Sequence, residues 1–229
     1  MASPQTHRTL EVIAIDGPAG AGKSTVAKRL AKILNLSYLD TGAMYRALTL
    51  KALRQKINLE DEQSLVELAG STAIDLEDTP SGVKVILDGE DVSQEVRTPE
   101  VTNKTFYIAR TSGVRTIMVG WQRTIAAKRG VVAEGRDIGT VVFPGATSKF
   151  YIDADLEERS KRRLRELTDN GKKVDPSILK TEMKERDQRD ITRSVGPLKK
   201  ADDAIFIDTT YLSIDEVVAE LLKNIRKNG

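Results

Sequence analysis

The sequence predicts an α/β protein built on a doubly wound parallel sheet, with a small antiparallel β insert and a helical lid. Three features support this fold class. Short apolar runs alternate with segments whose apolar residues recur at helical spacing, which is typical of βαβ units. The first apolar run is followed by Gly17-Pro18-Ala19-Gly20-Ala21-Gly22-Lys23-Ser24, which fits the pattern G-x-x-x-x-G-K-S/T. A charged helical hairpin separates the last two apolar runs.

The glycine-rich stretch has the context that a phosphate-binding loop requires. The apolar run 10–15 precedes it, and residues 25–34 carry apolar side chains at helical spacing. Glycines allow successive N–H groups to point at phosphate oxygens, and the following helix adds the positive end of its dipole. Lys23 is expected to reach the terminal phosphates of a nucleotide, and the Ser24 hydroxyl to bind Mg²⁺. The alternative is a glycine-rich turn without a ligand.

The composition limits the class of protein. A chain of 229 residues suffices for one α/β core, and 39% hydrophobic with 31% charged residues is typical of a soluble globular protein. A net charge of +2 argues against nonspecific binding to nucleic acid. No apolar segment approaches the roughly 18 residues that span a membrane, and no secretory signal pattern or oligomerisation motif is present. We therefore expect a cytoplasmic monomer without nucleic-acid or membrane partners.

The chain has no cysteine, and its single histidine, His7, lies in the polar tail 1–8. This excludes disulfides, thiolate catalysis and cysteine-based zinc sites, and any catalysis must work without histidine. Phosphoryl transfer fits, because it depends on positioning and charge neutralisation more than on covalent groups. An acceptor phosphate, whose second pKa is about 6, is largely dianionic at neutral pH and needs no general base. A phosphate acceptor is therefore favoured over an alcohol.

Further elements are predicted in chain order. The pattern indicates strand 36–39, helices 43–53 and 58–69, strand 83–87, two helices between Thr98-Pro99 and Gly130 with a break near Ser112-Gly113, and strands 131–133, 149–153 and 204–207. Turn signals at 79–82 and at Asp88-Gly89 indicate that residues 70–97 form an antiparallel patch.

Polar residues that end the predicted strands share one edge of the sheet. They are Asp16, Asp40, Arg136-Asp137 and Asp153. Doubly wound sheets bind ligands beyond the carboxyl ends of their strands, so this edge is the expected site. Asp16 and Asp40 either orient water on a bound Mg²⁺ or cap the neighbouring helix.

The hairpin between the last two predicted strands is the most charged part of the chain. Residues 157–193 hold twelve Lys or Arg against nine Asp or Glu, with a tip at Asp169-Asn170-Gly171. Two sets of side chains each share a helical face by their spacing: Arg159, Arg162 and Arg163, and Arg186, Asp190 and Arg193. A solvated hairpin joined by ion pairs is the alternative. Arginine faces beside a phosphate loop favour a mobile lid that closes over phosphates.

Five segments carry a resemblance to a known family. They are IDGPAGAGKST, LDTGAMYR, GEDVSQEVRTPEV, EGRDIGTVVFP and KERDQRDITRSVGPL. In this order and at these separations the chain resembles the bacterial cytidylate kinases, which are P-loop nucleoside monophosphate kinases. The resemblance implies one P-loop kinase domain over 9–229, with a monophosphate-binding region at 41–115, a β insert at about 70–98 and a lid at 157–189.

The resemblance also implies the reaction and its donor site. ATP with Mg²⁺ binds the phosphate loop, and its γ-phosphoryl group passes to CMP or dCMP to give ADP with CDP or dCDP. The implied ATP-binding residues are Gly17, Pro18, Ala19, Gly20, Ala21, Gly22, Lys23, Ser24 and Thr25, with Arg162 from the lid. The implied catalytic residues are Lys23, Arg136, Arg186 and Arg193.

The acceptor site follows from the same resemblance. Thr41, Arg46, Arg136 and Arg193 are implied to hold the acceptor phosphate, Arg186 and Asp190 the ribose, and Arg115 and Asp137 the cytosine, with Tyr45 beside them. Cytosine presents an N4 amino donor that a carboxylate accepts, whereas uracil presents an oxygen there. Each such contact discriminates by roughly 1–3 kcal/mol, so CMP is expected to be preferred over UMP.

One position departs from the family pattern. Members usually carry a serine nine positions before the arginine matched by Arg115, where it helps to bind the base, and this chain has Phe106. Phe106 either stacks on the base or packs in the helix, or a one-residue shift brings Thr105 into the site. Trp121 and Phe143 are expected to be packing residues.

Two other functions are consistent with parts of the sequence. One is a kinase for another small acceptor, such as UMP or a metabolite hydroxyl. The other is a nucleotide-dependent switch without a small-molecule acceptor, against which the arginine-rich hairpin argues.

Overall fold

The computed structural model describes residues 11–79, 82–169 and 171–228. The tail with His7, the start of the first predicted strand at Leu10, and the predicted turn residues Pro80, Ser81 and Asn170 lie outside the described residues.

The elements are numbered in chain order. The strands are β1 (Val12–Asp16), β2 (Ser37–Asp40), β3 (Ile74–Thr79), β4 (Gly82–Leu87), β5 (Glu90–Asp91), β6 (Val131–Gly135), β7 (Ser148–Asp153) and β8 (Ile205–Asp208). The helices are α1 (Lys23–Leu34), α2 (Thr41–Arg54), α3 (Glu62–Gly70), α4 (Pro99–Arg110), α5 (Ser112–Ala126), α6 (Leu156–Asp169), α7 (Pro176–Thr192) and α8 (Ile214–Asn228). Shorter helical turns span Glu95–Arg97 and Ile138–Val142.

Five strands form the predicted parallel sheet, in the order β2-β6-β1-β7-β8. The central strand β1 pairs in parallel with β6 on one side and with β7 on the other. Because successive side chains of a strand point to opposite faces, Ala14 joins a core with residues of α2, α4 and α5. Its neighbours Ile13 and Ile15 join a second core with residues of α1 and α8. Both faces are covered, which explains why the strands read as continuous apolar runs.

The second sheet confirms the predicted antiparallel insert. β3, β4 and β5 lie in that order, with Ile74 opposite Leu87. Buried Leu87 belongs to the same core as α2, which anchors the insert to the main body. Asp88 and Gly89 connect β4 to β5 with φ of 49° and 90°, the left-handed conformations that a two-residue hairpin turn requires.

Helices α6 and α7 form the predicted charged hairpin. Its own small core consists of Leu167, Leu179 and Met183. The hairpin leaves the sheet at the carboxyl end of β7, and the end of α7 stays at that edge, where Asp190 pairs with Arg136 directly after β6.

Several helix boundaries differ from the sequence prediction, among them the start of α3 and the end of α7. Helix α3 begins at Glu62 rather than at Asn58, because the Asp61 carboxylate caps it and accepts the Ser64 N–H at 3.2 Å. Helix α7 ends at Thr192, where the chain becomes extended.

The end of α7 corrects one sequence expectation. Arg193 has a ψ of 141°, so it leaves the helical face that its spacing from Arg186 and Asp190 predicted. The terminal helix α8 and the turn Ile138–Val142 are additions that the sequence pattern did not predict. Within the described ranges, no helix is both long enough and apolar enough to cross a membrane.

Substitution of Gly17 by alanine should destabilise the fold. Gly17 has a φ of 147°, and a Cβ there would overlap the carbonyl oxygen of Ile152 on β7. We expect the free energy of unfolding to fall by at least about 1–3 kcal/mol, the cost of a strained backbone alone. Denaturant unfolding measures this.

The matched control is Gly145→Ala, where an added Cβ meets no atom within 4 Å. Equal stability of the Gly17→Ala variant and the control would contradict the assigned loop geometry.

Candidate active site

The phosphate loop lies between β1 and α1, at the carboxyl edge of the sheet. Its last glycine, Gly22, is the N-cap of α1 and has no side chain that could bond the N–H groups of the first turn. Those N–H groups and the helix dipole therefore face the edge where the sequence predicted phosphate. Gly20 has a φ of 76°, and a Cβ there would crowd Arg159 and Met183 of the hairpin. The loop is thus in direct contact with the hairpin.

Lys23 is buried at the start of α1, with 6% of its surface exposed. Its ammonium Nζ donates to the carbonyl oxygen of Pro18 at 2.6 Å. Burial, reinforced by the charges of Arg136 and Arg186, lowers the pKa of Lys23 to about 7. The negative charge of a phosphate beside Lys23 would counteract the repulsion from Arg136 and Arg186 and favour the protonated form of Lys23.

Arg186 is the least compensated of the neighbouring cations. Burial, together with the charges of Arg136, Arg46 and Arg163, lowers the pKa of Arg186 to about 10. In the described part of the chain no ion pair or hydrogen bond of the Arg186 side chain occurs. The charge of Asp190 opposes this repulsion in part, and an anion bound among these guanidinium groups would relieve it further.

Arg46 also has unused hydrogen-bonding capacity. Its Nε is buried, and among the described residues it has no hydrogen-bond partner. One terminal nitrogen contacts Asp40 Oδ2 at 3.4 Å. Asp40 in turn caps α2 by accepting the Ala43 N–H at 2.7 Å, so of its two predicted roles it takes the helix cap. Arg46 and the N-terminus of α2 lie together, as an anion site requires.

Arg136 and Asp190 form a partly buried pair between the end of β6 and α7, with Nε to Oδ2 at 2.7 Å. Burial raises the pKa of Asp190, but the charges of Arg136 and Arg186 outweigh it and hold the pKa below its ordinary value. The Thr41 hydroxyl lies nearby and donates to the Glu134 carbonyl oxygen at 2.7 Å. These contacts bring the predicted ribose and phosphate residues to one place.

Arg115, Asp137 and Arg193 form a second buried cluster. Asp137 pairs closely with Arg115 and contacts Arg193 at 3.4 Å. Burial raises the pKa of Asp137, although both arginines act against it. The Tyr45 hydroxyl accepts from Arg115 at 3.2 Å, and burial raises its pKa to about 12, so it stays neutral. Arg193 also donates to the carbonyl oxygen of Gly196 at 2.5 Å.

Asp16 fixes a turn that is distant in sequence and does not cap the neighbouring helix α1. Its carboxylate accepts the N–H groups of Ile138 and Gly139 at 2.7 and 2.8 Å. It therefore fixes the turn that directly follows Asp137 and caps no α-helix. Burial, opposed by these two bonds, raises the pKa of Asp16 to about 6.

Ser24, Tyr38, Glu134 and Asp40 carry side-chain oxygens of the kinds that fit a magnesium ion. Tyr38 donates to the Glu134 carboxylate, and Glu134 lies opposite Asp40 in the pairing of β6 with β2. Hydroxyl and carboxylate oxygens are the ligands that Mg²⁺ prefers, usually completed by water and nucleotide phosphates. The described residues hold no group of three or more acidic or histidine ligands, so such an ion would depend on the nucleotide.

The three arginines predicted to share one face of α6 point to different partners. Arg162 donates to the carbonyl oxygen of Thr209 at 2.6 Å and contacts Glu158 at 3.1 Å. Thr209 also reaches Ala21 of the phosphate loop, with Oγ1 to O at 3.3 Å. Arg163 pairs with Glu166, and Arg159 contacts the phosphate loop itself.

Comparison with known proteins identifies the family. The family model described as cytidylate kinase matches residues 13–227. The chain belongs to the cytidylate kinase family. A cytidylate kinase from Desulforamulus reducens is 54% identical over 217 residues, covering 94% of this chain and 96% of the relative. One from Caldanaerobacter subterraneus subsp. tengcongensis is 52% identical over 216 residues, covering 94% and 95%.

A solved structure supports the fold independently. An uncharacterized protein from Eubacterium ventriosum aligns over 95% of this chain and 99% of its own, with a TM-score of 0.52. At 16% identity this likeness shows the fold alone.

Phe106 departs from the usual cytidylate kinase residue, and its ring faces cations. The guanidinium carbons of Arg110 and Arg189 lie 5.4 and 5.5 Å from the ring centroid, within cation–π range. The Thr105 hydroxyl is engaged elsewhere, donating to the Val101 carbonyl oxygen at 2.7 Å. Trp121 and Phe143 pack against the core, as expected.

Sequence reasoning missed several groups that line this cytidylate kinase site. They are Tyr38, Glu134 and Asp187, while Arg159 was expected on a face of the hairpin that closes over phosphates. Glu134 and Asp187 lie within the segments EGRD and RDQRD. The signal for Glu134 was a charged residue at the end of a strand, and the signal for Asp187 was a charged residue within a charged repeat. Their partners are distant in sequence and could not be read from it.

Binding of ATP should be accompanied by proton uptake. At pH 8.5 unliganded Lys23 is mostly neutral, because its pKa is about 7, and phosphate favours its charged form. Calorimetric titration with ATP and Mg²⁺, in buffers of different ionisation enthalpy, should give uptake approaching roughly one proton per nucleotide.

Lys32→Met, an exposed lysine of the same helix, should leave that uptake unchanged. A binding enthalpy that does not depend on the buffer would contradict the depressed pKa. In the unliganded protein the unfolded chain binds more protons between pH 7 and 10.5, so the contribution of Lys23 to stability rises with pH there.

Proposed function

We propose that this protein transfers the γ-phosphoryl group of ATP to CMP or dCMP, giving ADP with CDP or dCDP. Membership of the cytidylate kinase family supports the reaction class. The observation that carries the proposal is the cluster of Lys23, Arg136 and Arg186, in which burial and mutual repulsion depress the pKa values of Lys23 and Arg186. Such a cluster suits the joint between a donor and an acceptor phosphate.

The donor is proposed to bind the phosphate loop over residues 17–25. Its β- and γ-phosphates would accept N–H groups of the loop and of α1, with Lys23 beside them. Arg162 is proposed to approach the nucleotide because it is held at Thr209, next to Ala21. Mg²⁺, held through Ser24 and the phosphates, would neutralise charge on the transferring group.

The acceptor phosphate is proposed to bind Arg46, Arg136 and Arg193, at the N-terminus of α2 with Thr41. The unpartnered Nε of Arg46 supports this position. Arg193 now contacts Asp137 and the carbonyl of Gly196, so it would have to exchange these partners for phosphate. A dianionic acceptor attacks without a general base, which agrees with the absence of histidine from the described residues.

The nucleoside is proposed to be read by two pairs. Arg186 and Asp190 would bond the ribose hydroxyls. Arg115 and Asp137 would bond cytosine, with the Asp137 carboxylate accepting its N4 amino group and Arg115 donating to ring acceptors. Tyr45 holds Arg115 in place.

The domain organisation predicted from the sequence is part of this proposal. Residues 9–229 form one kinase domain, 41–115 the acceptor region with the insert at about 70–98, and 157–189 the lid. A cytoplasmic monomer with nucleotide substrates also remains a prediction. The lid assignment is supported by the contact of its helices with both the phosphate loop and Arg136.

UMP is the second candidate acceptor. Phe106 faces Arg110 and Arg189, and Thr105 is bonded within α4, so neither supplies a hydrogen bond to the base here. Discrimination between CMP and UMP would then rest on Arg115 and Asp137 alone.

Coupled ADP production against CMP, dCMP, UMP and AMP at one ATP concentration tests the reaction. CMP and dCMP should be the best acceptors. Lys23→Ala and Arg186→Ala should each lower kcat by at least about a hundredfold, because each removes charge stabilisation of the transferring group. Arg165→Ala, an exposed lid arginine, should change little.

Wild-type values of kcat in both alanine variants would contradict the proposed kinase activity. Preference for a non-cytidine acceptor would instead select the second candidate.

Asp137→Asn should lower the preference for CMP over UMP. The asparagine amide can donate to the uracil O4, which the carboxylate repels, so the ratio of kcat/KM should fall by roughly 5- to 150-fold. Asp203→Asn, at an exposed ion pair with Lys149, is the control. An unchanged ratio would show that Asp137 does not read the base.

A further inference from the structure

Arg159 and Asp187 are buried charged residues to which the proposed reaction gives no role. Arg159 lies near the start of α6 and Asp187 in α7, and only 7% and 8% of their surfaces are exposed. Arg159 Nη1 and Asp187 Oδ2 form an ion pair at 2.5 Å. Removing one partner of a buried pair normally destabilises strongly, whereas an apolar pair of similar volume is often tolerated.

Both polar backbone groups of Ala19, in the phosphate loop, are bonded to this pair. The Ala19 N–H donates to Asp187 Oδ1 at 3.3 Å, and the Ala19 carbonyl oxygen accepts from Arg159 Nη1 at 3.0 Å. A Cβ on the next residue, Gly20, would lie 3.0 Å from Met183 Cε and 3.1 Å from the Arg159 carbonyl oxygen. The loop is therefore held on its outer side by both helices of the hairpin.

The positive charge of Arg159 is balanced by Asp187, and two of its three guanidinium nitrogens are engaged by protein groups. Its Nε donates to the carbonyl oxygen of Ala154 at 2.7 Å, and Nη1 is shared between Ala19 and Asp187. Arg186 differs, because among the described residues it has no ion pair. Arg159 is thus suited to position the loop and unsuited to stabilise the transferring group.

We propose that Arg159 and Asp187 are a positioning pair, which we call the Ala19 clamp, that holds the phosphate loop in its nucleotide-binding conformation. A loop with several left-handed glycines has many accessible conformations, and fixing one peptide reduces the entropy that nucleotide binding must overcome. The clamp also joins the loop to the hairpin, so the position of α6 and α7 sets the shape of the donor site. This inference rests on the proposed donor role of the loop.

The sharpest test replaces the clamp by an apolar pair, Arg159→Met with Asp187→Leu. This double variant leaves the net charge unchanged and leaves no buried charge unpaired. ATP binding by calorimetry should weaken roughly tenfold, the size expected from two lost hydrogen bonds. The KM for ATP should rise in parallel, with the KM for CMP within about twofold of wild type.

The matched control is Lys180→Met with Glu157→Gln. This exposed pair also joins α7 to α6, at 2.5 Å, and in the structure it lies on the outside of the hairpin. It should leave both KM values unchanged. Equal ATP affinity in the clamp variant and wild type, in a folded protein, would overturn the proposal, as would equal losses for ATP and CMP.

A second measurement does not require the variant to fold. In the unliganded wild-type protein the Ala19 amide should exchange its hydrogen slowly, because Asp187 accepts it. Exchange at the rate of an unprotected loop amide would overturn the clamp. Failure of every monophosphate as an acceptor, with ATP binding retained, would refute the proposed function and leave the clamp standing.

Discussion

Lys23, Arg136 and Arg186 bring positive charge together in a part of the molecule from which water is largely excluded. Such crowding is costly, since like charges repel strongly where the dielectric is low. The depressed pKa values of Lys23 and Arg186 express that cost. Asp190 pairs directly with Arg136, whereas among the described residues Arg186 makes no direct ion pair and feels Asp190 only at longer range. The arrangement is stabilised by a ligand that brings several negative charges, which two phosphate groups meeting end to end provide.

Acidic residues around the site fix the turns and helix ends that carry its other side chains. Asp16 fixes the turn after Asp137 through two backbone N–H groups, and Asp40 caps the helix that carries Arg46. Parallel strands bring their carboxyl ends to one edge, so loops far apart in the chain meet there. Packing of the sheet between two cores makes this edge rigid, while the hairpin above it depends on a small core of its own. That contrast supports the proposal that the hairpin is a lid.

The hairpin contacts both ends of the site by different interactions. Arg159 and Asp187 hold Ala19 at the donor side, and Arg189 lies over the Phe106 ring of α4 on the acceptor side. Exposed cation–π contacts are worth about 0.5–1 kcal/mol, less than a buried hydrogen-bonded ion pair that loses one partner. Truncating one side chain of the donor contact should therefore cost more than truncating one of the acceptor contact. Phe106 contacts the hairpin in this structure, which agrees with the proposal that Arg115 and Asp137 read the base.

The sequence alone determined the phosphate loop, the order of strands and helices, the antiparallel insert, the charged hairpin and the family. These depend on local spacing, because glycine conformation, apolar periodicity and turn residues act within a few positions of each other. The tertiary structure decided which charges are free and which are neutralised. Arg159 and Arg186 both lie in charged helical segments of the sequence. Only the structure shows that Asp187, 28 residues from Arg159, neutralises the charge of Arg159. Asp16 likewise accepts hydrogen bonds from backbone N–H groups that lie 122 and 123 residues away in the chain. Such partners are set by distance in the folded structure, which the order of residues does not give.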